Sequence, residues 1–188
     1  MVKIKSATDA LIIVDLQNDF CPDGALGVPK GDQIINSINS IAKKFTHIYA
    51  TLDWHPNNHC TFKSHGGSWP THCLANSFGS KLHSKLKIPQ AQLIYKGINP
   101  QHLAFSGFDH TKLKKELTTN KITRLFIGGL ATDYCVKETV LDALKHQFAV
   151  YLLKDCIKGV NLKPNDSQKA IKEVVDKGVK LITSFSLE

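Results

Sequence analysis
Arginine is nearly missing from this chain: Arg124 is the only one, although Lys and Arg together number 24. Phosphate and base recognition lean on the forked guanidinium, and the lysines, among them Lys43, Lys85, Lys114 and Lys172, are scattered over the sequence. The formal net charge of +8 therefore reads as a solvated basic surface, and no nucleic-acid partner is expected. No apolar run approaches the roughly 18 residues of a membrane span, and Leu11 to Val14 is too short for the apolar core of a signal peptide. No membrane association is expected, and the expected location is the cytoplasm. CxxC pairs are absent, and the five cysteines (Cys21, Cys60, Cys73, Cys135, Cys156) are odd in number, which fits reduced thiols better than a disulfide framework. Repeats, linkers and low-complexity segments are lacking too. The 188 residues are thus expected to form one domain with a substantial core.

What is present alternates between strand-like and helix-like patterns. Ala10 to Val14 is a continuous apolar run ending at Asp15, as a strand buried on both faces would be. Gly31 to Phe45 carries Ile34, Ile35, Ile38 and Ile41 at helical spacing. His47 to Leu52 is a second strand running into Asp53, and Gln92 to Tyr95 a third running into Lys96. Helix is expected over His110 to Thr119, strand over Arg124 to Gly129, and helix over Ala131 to His146. Strand over Phe148 to Leu153, helix over Pro164 to Lys177 and strand over Val179 to Thr183 complete the chain. The pattern predicts an α/β fold, a doubly wound and mostly parallel sheet of about six strands with helices on both faces. Between about 53 and 80 lies a long aperiodic loop rich in His, Cys, Trp, Gly and Pro; loops of that length in compact domains are usually functional.

Three candidate reactive groups fall at strand carboxyl ends, where a doubly wound sheet places its crevice: Asp15, Lys96 and Cys135. Cys135 follows Gly128-Gly129-Leu130-Ala131 at the start of a helix, where free N–H groups and the helix dipole would favour thiolate and could hold an oxyanion. Asp15 can act as general base and Lys96 as electrostatic stabiliser. Each has a plainer reading: an inert core cysteine, an aspartate capping a turn, a surface lysine. Asp53, His55, His59 and His72 form a second grouping, suited to Zn²⁺, Fe²⁺ or Mn²⁺ with open coordination positions. Surface histidines, or a closed structural zinc site using Cys60 or Cys73, are the alternatives.

The segments Ile13-Val14-Asp15-Leu16-Gln17-Asn18-Asp19-Phe20, Asp53-Trp54-His55-Pro56-Asn57-Asn58-His59, Gly67-Ser68-Trp69-Pro70-Thr71-His72-Cys73, Tyr95-Lys96-Gly97 and Gly129-Leu130-Ala131-Thr132-Asp133-Tyr134-Cys135-Val136 occur in one order. In these the chain resembles the nicotinamidase/pyrazinamidase group of the isochorismatase-like cysteine hydrolases. The resemblance implies a triad of Cys135 (nucleophile), Asp15 (general acid/base) and Lys96, with one divalent ion, zinc ahead of iron or manganese, on Asp53, His55 and His72. His59 ligates in some relatives and stands behind the ligands in others. A cis peptide between Leu130 and Ala131 and an oxyanion hole from the N–H groups of Ala131 and Cys135 are implied. So is a small aromatic amide between Phe20 and Trp69; a homo-oligomer is left open by the sequence. The implied reaction is hydrolysis of nicotinamide or pyrazinamide through a thioester, in NAD salvage. One departure stands out: relatives often carry tyrosine before Ser-Gly-Phe, where this chain has Phe105, so the pocket wall stays apolar but loses a hydroxyl. Three rivals are a metal-hydroxide hydrolase with Cys135 as bystander, a metal-free hydrolase of another small molecule, and a non-catalytic basic binding protein.

Overall fold
The computed structural model describes residues 1–188 and places six strands in one sheet: β1 (Asp9–Val14), β2 (His47–Asp53), β3 (Gln92–Lys96), β4 (Arg124–Leu130), β5 (Ala149–Lys158) and β6 (Lys180–Ile182). All neighbours are parallel, in the order β3-β2-β1-β4-β5-β6. The helices are α1 (Ile35–Ala42), α2 (Leu113–Thr119), α3 (Lys137–Lys145) and α4 (Asp166–Asp176). This is the doubly wound α/β arrangement that the alternating pattern predicts, and the winding reverses between β1 and β4. Chains leaving those two strands diverge, which opens a crevice at their carboxyl ends.

Strand β1 shows how the sequence builds two cores. Side chains alternate across a sheet. Leu11 and Ile13 join Ile35, Ile38 and Ile41 of α1, whereas Ala10, Ile12 and Val14 join Leu113 and Leu117 of α2, Val140 and Ala143 of α3, and Val174 of α4. Burying each large aliphatic side chain contributes about 1.5–3 kcal/mol, so the apolar run is needed on both faces. No α-helix connects β2 to β3. Residues 54–91 lie instead against the α1 side of the sheet, with Cys73 and Ile88 buried in that cluster and Leu82 and Leu86 packed on it. Bridges His55↔Leu74 and Phe62↔Trp69 pin this segment.

Several element ends differ from the sequence expectation. The stretch from Gly31 opens as a 3-10 turn, Gly31–Ile34, before α1; glycine at the start and left-handed Lys30 (φ 57) leave no regular first turn. Helix α2 starts at Leu113 rather than His110, whose φ of 51 is left-handed. Residues Thr132–Val136 form a wide π-type turn in which Tyr134 leaves helical geometry, so α3 begins at Lys137. Strand β5 runs to Lys158, beyond the expected Leu153, through a register shift opposite Ile127 and Gly129. No helix is long and apolar enough to cross a membrane.

Candidate active site
The carboxyl ends of β3, β2, β1 and β4 lie side by side, and each delivers a reactive side chain. Asp53 and Lys96 are direct partners across β2 and β3. Lys96 Nζ stands 2.9 Å from Asp15 Oδ2 and 3.6 Å from Cys135 Sγ, and donates to the Ala104 carbonyl at 3.3 Å and to Asp53 Oδ1. At 1% exposure it is no surface lysine. Asp15 is fully buried with φ 46, its N–H donating to the Thr51 carbonyl at 3.2 Å. The Thr51 hydroxyl donates to Asp15 Oδ1 at 2.6 Å, while Oδ2 accepts no aligned hydrogen bond although the ammonium faces it. Reactive atoms of Asp15, Asp53 and Cys135 lie within 4.8 Å of one another. That leaves Asp15 Oδ2 free to take a thiol proton rather than capping a turn.

Burial pushes the Cys135 thiol well above its ordinary pKa; Lys96 opposes the rise, and Asp15 and Asp53 reinforce it. The expectation of a thiolate favoured at a helix start meets opposition here: Cys135 sits in the wide turn ahead of α3, where burial and two neighbouring carboxylates favour the thiol. Burial alone would lower Lys96, but Asp15, Asp53 and Cys135 hold it well above its usual value, so it stays an ammonium. Burial raises Asp15 against the pull of Lys96. Burial also works to raise Asp53, but Lys96 outweighs it and holds the carboxyl below the usual carboxylate range. These directions favour a thiol at Cys135, an ammonium at Lys96 and a carboxylate at Asp53, and they strengthen the basicity of Asp15.

Asp53, His55 and His72 come together beside this group, all three buried and with ligand atoms within 4.8 Å of one another. Carbonyl oxygens only accept, so their partners fix two tautomers: His55 Nδ1–H donates to Gly97 O at 2.9 Å and His72 Nδ1–H to Pro70 O at 2.8 Å. Both Nε2 lone pairs are left for a metal, the usual outer arrangement of metal-binding histidines. Two imidazoles and a carboxylate suit a borderline divalent ion, and the donors present fit one. His59 is different. Its ring packs tilted against His55 with centroids 4.1 Å apart, but Nδ1 accepts from Thr61 N–H at 3.3 Å and lies 2.8 Å from the Thr61 hydroxyl. The proton then sits on Nε2, which is buried without a partner. Burial lowers the His59 pKa to about 4, so the ring is neutral. Neither Cys60 nor Cys73 joins a ligand set, and all five cysteines are free.

The triad and the metal set, separate groupings in the sequence, share Asp53: Oδ1 accepts from Lys96, while Oδ2 lies 3.5 Å from His55 Nε2. A cavity of about 340 Å³ opens over them, lined by Phe20, Trp69, Phe105, Ala131 and Cys135 with Asp53, His55 and His72 in its wall. Asp15 and Lys96 lie behind Cys135. The Trp69 and Phe105 rings meet edge to face at 5.7 Å. The Leu130–Ala131 peptide bond is cis. Sequence reasoning missed Tyr134, Leu103, Val160 and Leu162 in the cavity wall. It also missed Gln17, which clasps the end of β2: Nε2 donates to Asp53 O at 2.8 Å and Ser80 O at 2.9 Å, and Oε1 accepts from Asp53 N–H at 2.9 Å. A glutamine shortly after an apolar strand, next to Asp15-Leu16, was the available signal.

Fold and site together define a doubly wound α/β protein with a buried cysteine, lysine and aspartate beside three side chains that could hold a metal ion. The chain belongs to the isochorismatase domain family, whose model matches residues 9–186. It is 39% identical to the nicotinamidase of Escherichia coli, over 93% of this chain and 94% of that protein. It is 32% identical to the nicotinamidase/pyrazinamidase of Mycobacterium tuberculosis, over 93% and 98%. The pyrazinamidase of Pyrococcus horikoshii in complex with zinc superposes with a TM-score of 0.89 at 46% identity, covering 93% of this chain and 98% of that one. PnC1 from L. infantum in complex with nicotinate gives 0.94 at 38% identity, covering 100% and 98%.

Proposed function
We propose that this chain hydrolyses nicotinamide to nicotinate and ammonia, and pyrazinamide to pyrazinoate, through a thioester on Cys135, and that it serves NAD salvage. The observation that carries the reading is a buried thiol, 3.6 Å from a buried ammonium, opening onto an aromatic-walled cavity whose other wall is a metal-ligand set. Named relatives with these activities over most of the chain support it.

In the proposed reaction the Cys135 proton passes to Asp15 Oδ2 as the sulfur attacks the carboxamide carbon. The N–H groups of Ala131 and Cys135 receive the developing oxyanion, and Lys96 keeps its proton and balances the charge on Asp15 and Asp53. Asp15 then gives its proton to the departing amine, releasing ammonia, takes one from the water that cleaves the thioester, and returns it to the Cys135 sulfur as the acid leaves. Phe20, Trp69 and Phe105 hold the ring and exclude bulk water. Asp53, His55 and His72 would hold one divalent ion, zinc first, which supplies a Lewis-acidic anchor for the ring nitrogen of the substrate. We place His59 outside the ligand set, as a donor through Nε2–H, because Thr61 occupies its other nitrogen. Residues 1–188 are read as one domain, in the cytoplasm, consistent with five free thiols.

The test is ammonia release from nicotinamide by wild type, by Cys135→Ala and by chelated protein before and after metal return. We expect the Cys variant to lose about 10⁴-fold or more and metal to restore the chelated sample. A Cys135→Ala protein that keeps most of its rate would point to a metal-bound hydroxide as nucleophile and sink the thioester.

A further inference from the structure
A second set of metal-binding side chains lies outside the site just described. We propose that His102, Asp109 and His110 form a second, weaker site for a borderline divalent ion such as Zn²⁺, on the segment joining β3 to α2. Asp109 stands between two imidazoles, with Oδ2 accepting from His102 Nε2–H at 2.9 Å, a proton that a bound ion would displace, and Oδ1 3.8 Å from His110 Nε2. The two rings meet edge to face with centroids 4.6 Å apart, and one ligand atom from each of the three residues lies within 4.8 Å of the other two. All three line a cavity of about 340 Å³, distinct from the aromatic one, which they share with Gly97 and Asn99.

The donor chemistry selects the ion. Two imidazoles and one carboxylate suit zinc, copper or nickel, whereas magnesium and calcium want oxygen throughout. Exposure sets the strength. The His110 side chain is 77% exposed and that of His102 39%, so water competes for the ion and fills the remaining positions. The other set is almost wholly buried and is the tighter of the two. The ion would tie residue 102 to residues 109 and 110, across the stretch that carries Leu103 and Phe105 to the substrate cavity and Ala104 O to Lys96.

The experiment is a calorimetric titration of Zn²⁺ into enzyme already holding one equivalent. A second equivalent should bind, more weakly than the first. His110→Asn, chosen because asparagine tolerates the left-handed backbone at φ 51, and His102→Ala should each weaken the second event by about tenfold or more. Both should keep the first event and the rate of amide hydrolysis. His72→Ala, which disturbs the buried set, should retain the weaker event. A wild type that takes up no second equivalent overturns the proposal. So does a second event unchanged in both His102→Ala and His110→Asn, or one that vanishes in His72→Ala.

Discussion

Cys135 shares its buried surroundings with one ammonium and two carboxylates, and the arithmetic of charge disfavours a third anion there. Burial and the neighbouring Asp15 and Asp53 outweigh Lys96, so the thiol keeps its proton at rest. Thiolate forms as pH rises through a raised pKa, and only thiolate is alkylated. Labelling of Cys135 by iodoacetamide, read by mass spectrometry, should therefore still climb beyond the ordinary thiol value of about 8.5. A plateau already reached at about pH 6–7 would mean a resting thiolate and would return the helix-terminus account to favour. Lys96 makes the complementary case. Replacing it with Met leaves Asp15 and Asp53 buried with no cation between them. Breaking a buried pair in this way costs about 3–5 kcal/mol, measured as a lower urea midpoint, and activity should fall with it. A Lys96→Met protein as stable as wild type would show that neither carboxylate depends on this ammonium to stay buried.

At the scale of elements, the site depends on short turns that hold strand ends in register. Gly97, one residue beyond β3, has φ +66, and a Cβ there would stand 2.4 Å from His55 Cε1 and 2.7 Å from Nδ1. Its carbonyl is also what orients that ring. Gly97→Ala should therefore weaken metal binding by about 10- to 100-fold while leaving Cys135 accessible to alkylation; unaltered metal affinity would count against this turn as the support of His55. Such turns also mark where the sequence stops being readable. Runs such as Leu11 to Val14 declare their strands because both faces of a parallel sheet need apolar residues, and that was enough to place Asp15, Lys96 and Cys135 at neighbouring ends. The family motifs supplied the ligand set. Helix starts were read too early at Gly31, His110 and Ala131, because periodicity continues through 3-10, left-handed and π-type turns that only the backbone distinguishes. The sharing of Asp53 between Lys96 and the histidines was hidden for another reason. It depends on the register that sets Asp53 beside Lys96, and register is a property of two strands rather than of either sequence.

For the whole molecule, the long segment between β2 and β3 takes the place of a crossover helix, and several of its fixed points lie in the site itself. His55 is bridged to Leu74, Asp19 Oδ2 accepts from Cys73 N–H at 2.7 Å, and His72 is turned by Pro70. This segment covers part of the sheet, yet it gains few of the repeating hydrogen bonds that hold a helix. An ion on Asp53, His55 and His72 would join the end of β2 to the middle of the segment and bind only the folded chain. Metal at about 100 times its dissociation constant should then add about 2.7 kcal/mol of stability. For a domain of this size that raises the melting temperature by about 5 to 11 °C. Chelated protein melted with and without added Zn²⁺ measures the shift. His72→Ala should abolish most of it, and His110→Asn, which touches only the exposed histidine pair, should keep most of it. If instead the shift survives in His72→Ala and disappears in His110→Asn, the ion that stabilises the fold sits at the exposed set, and the buried ligands have some other use.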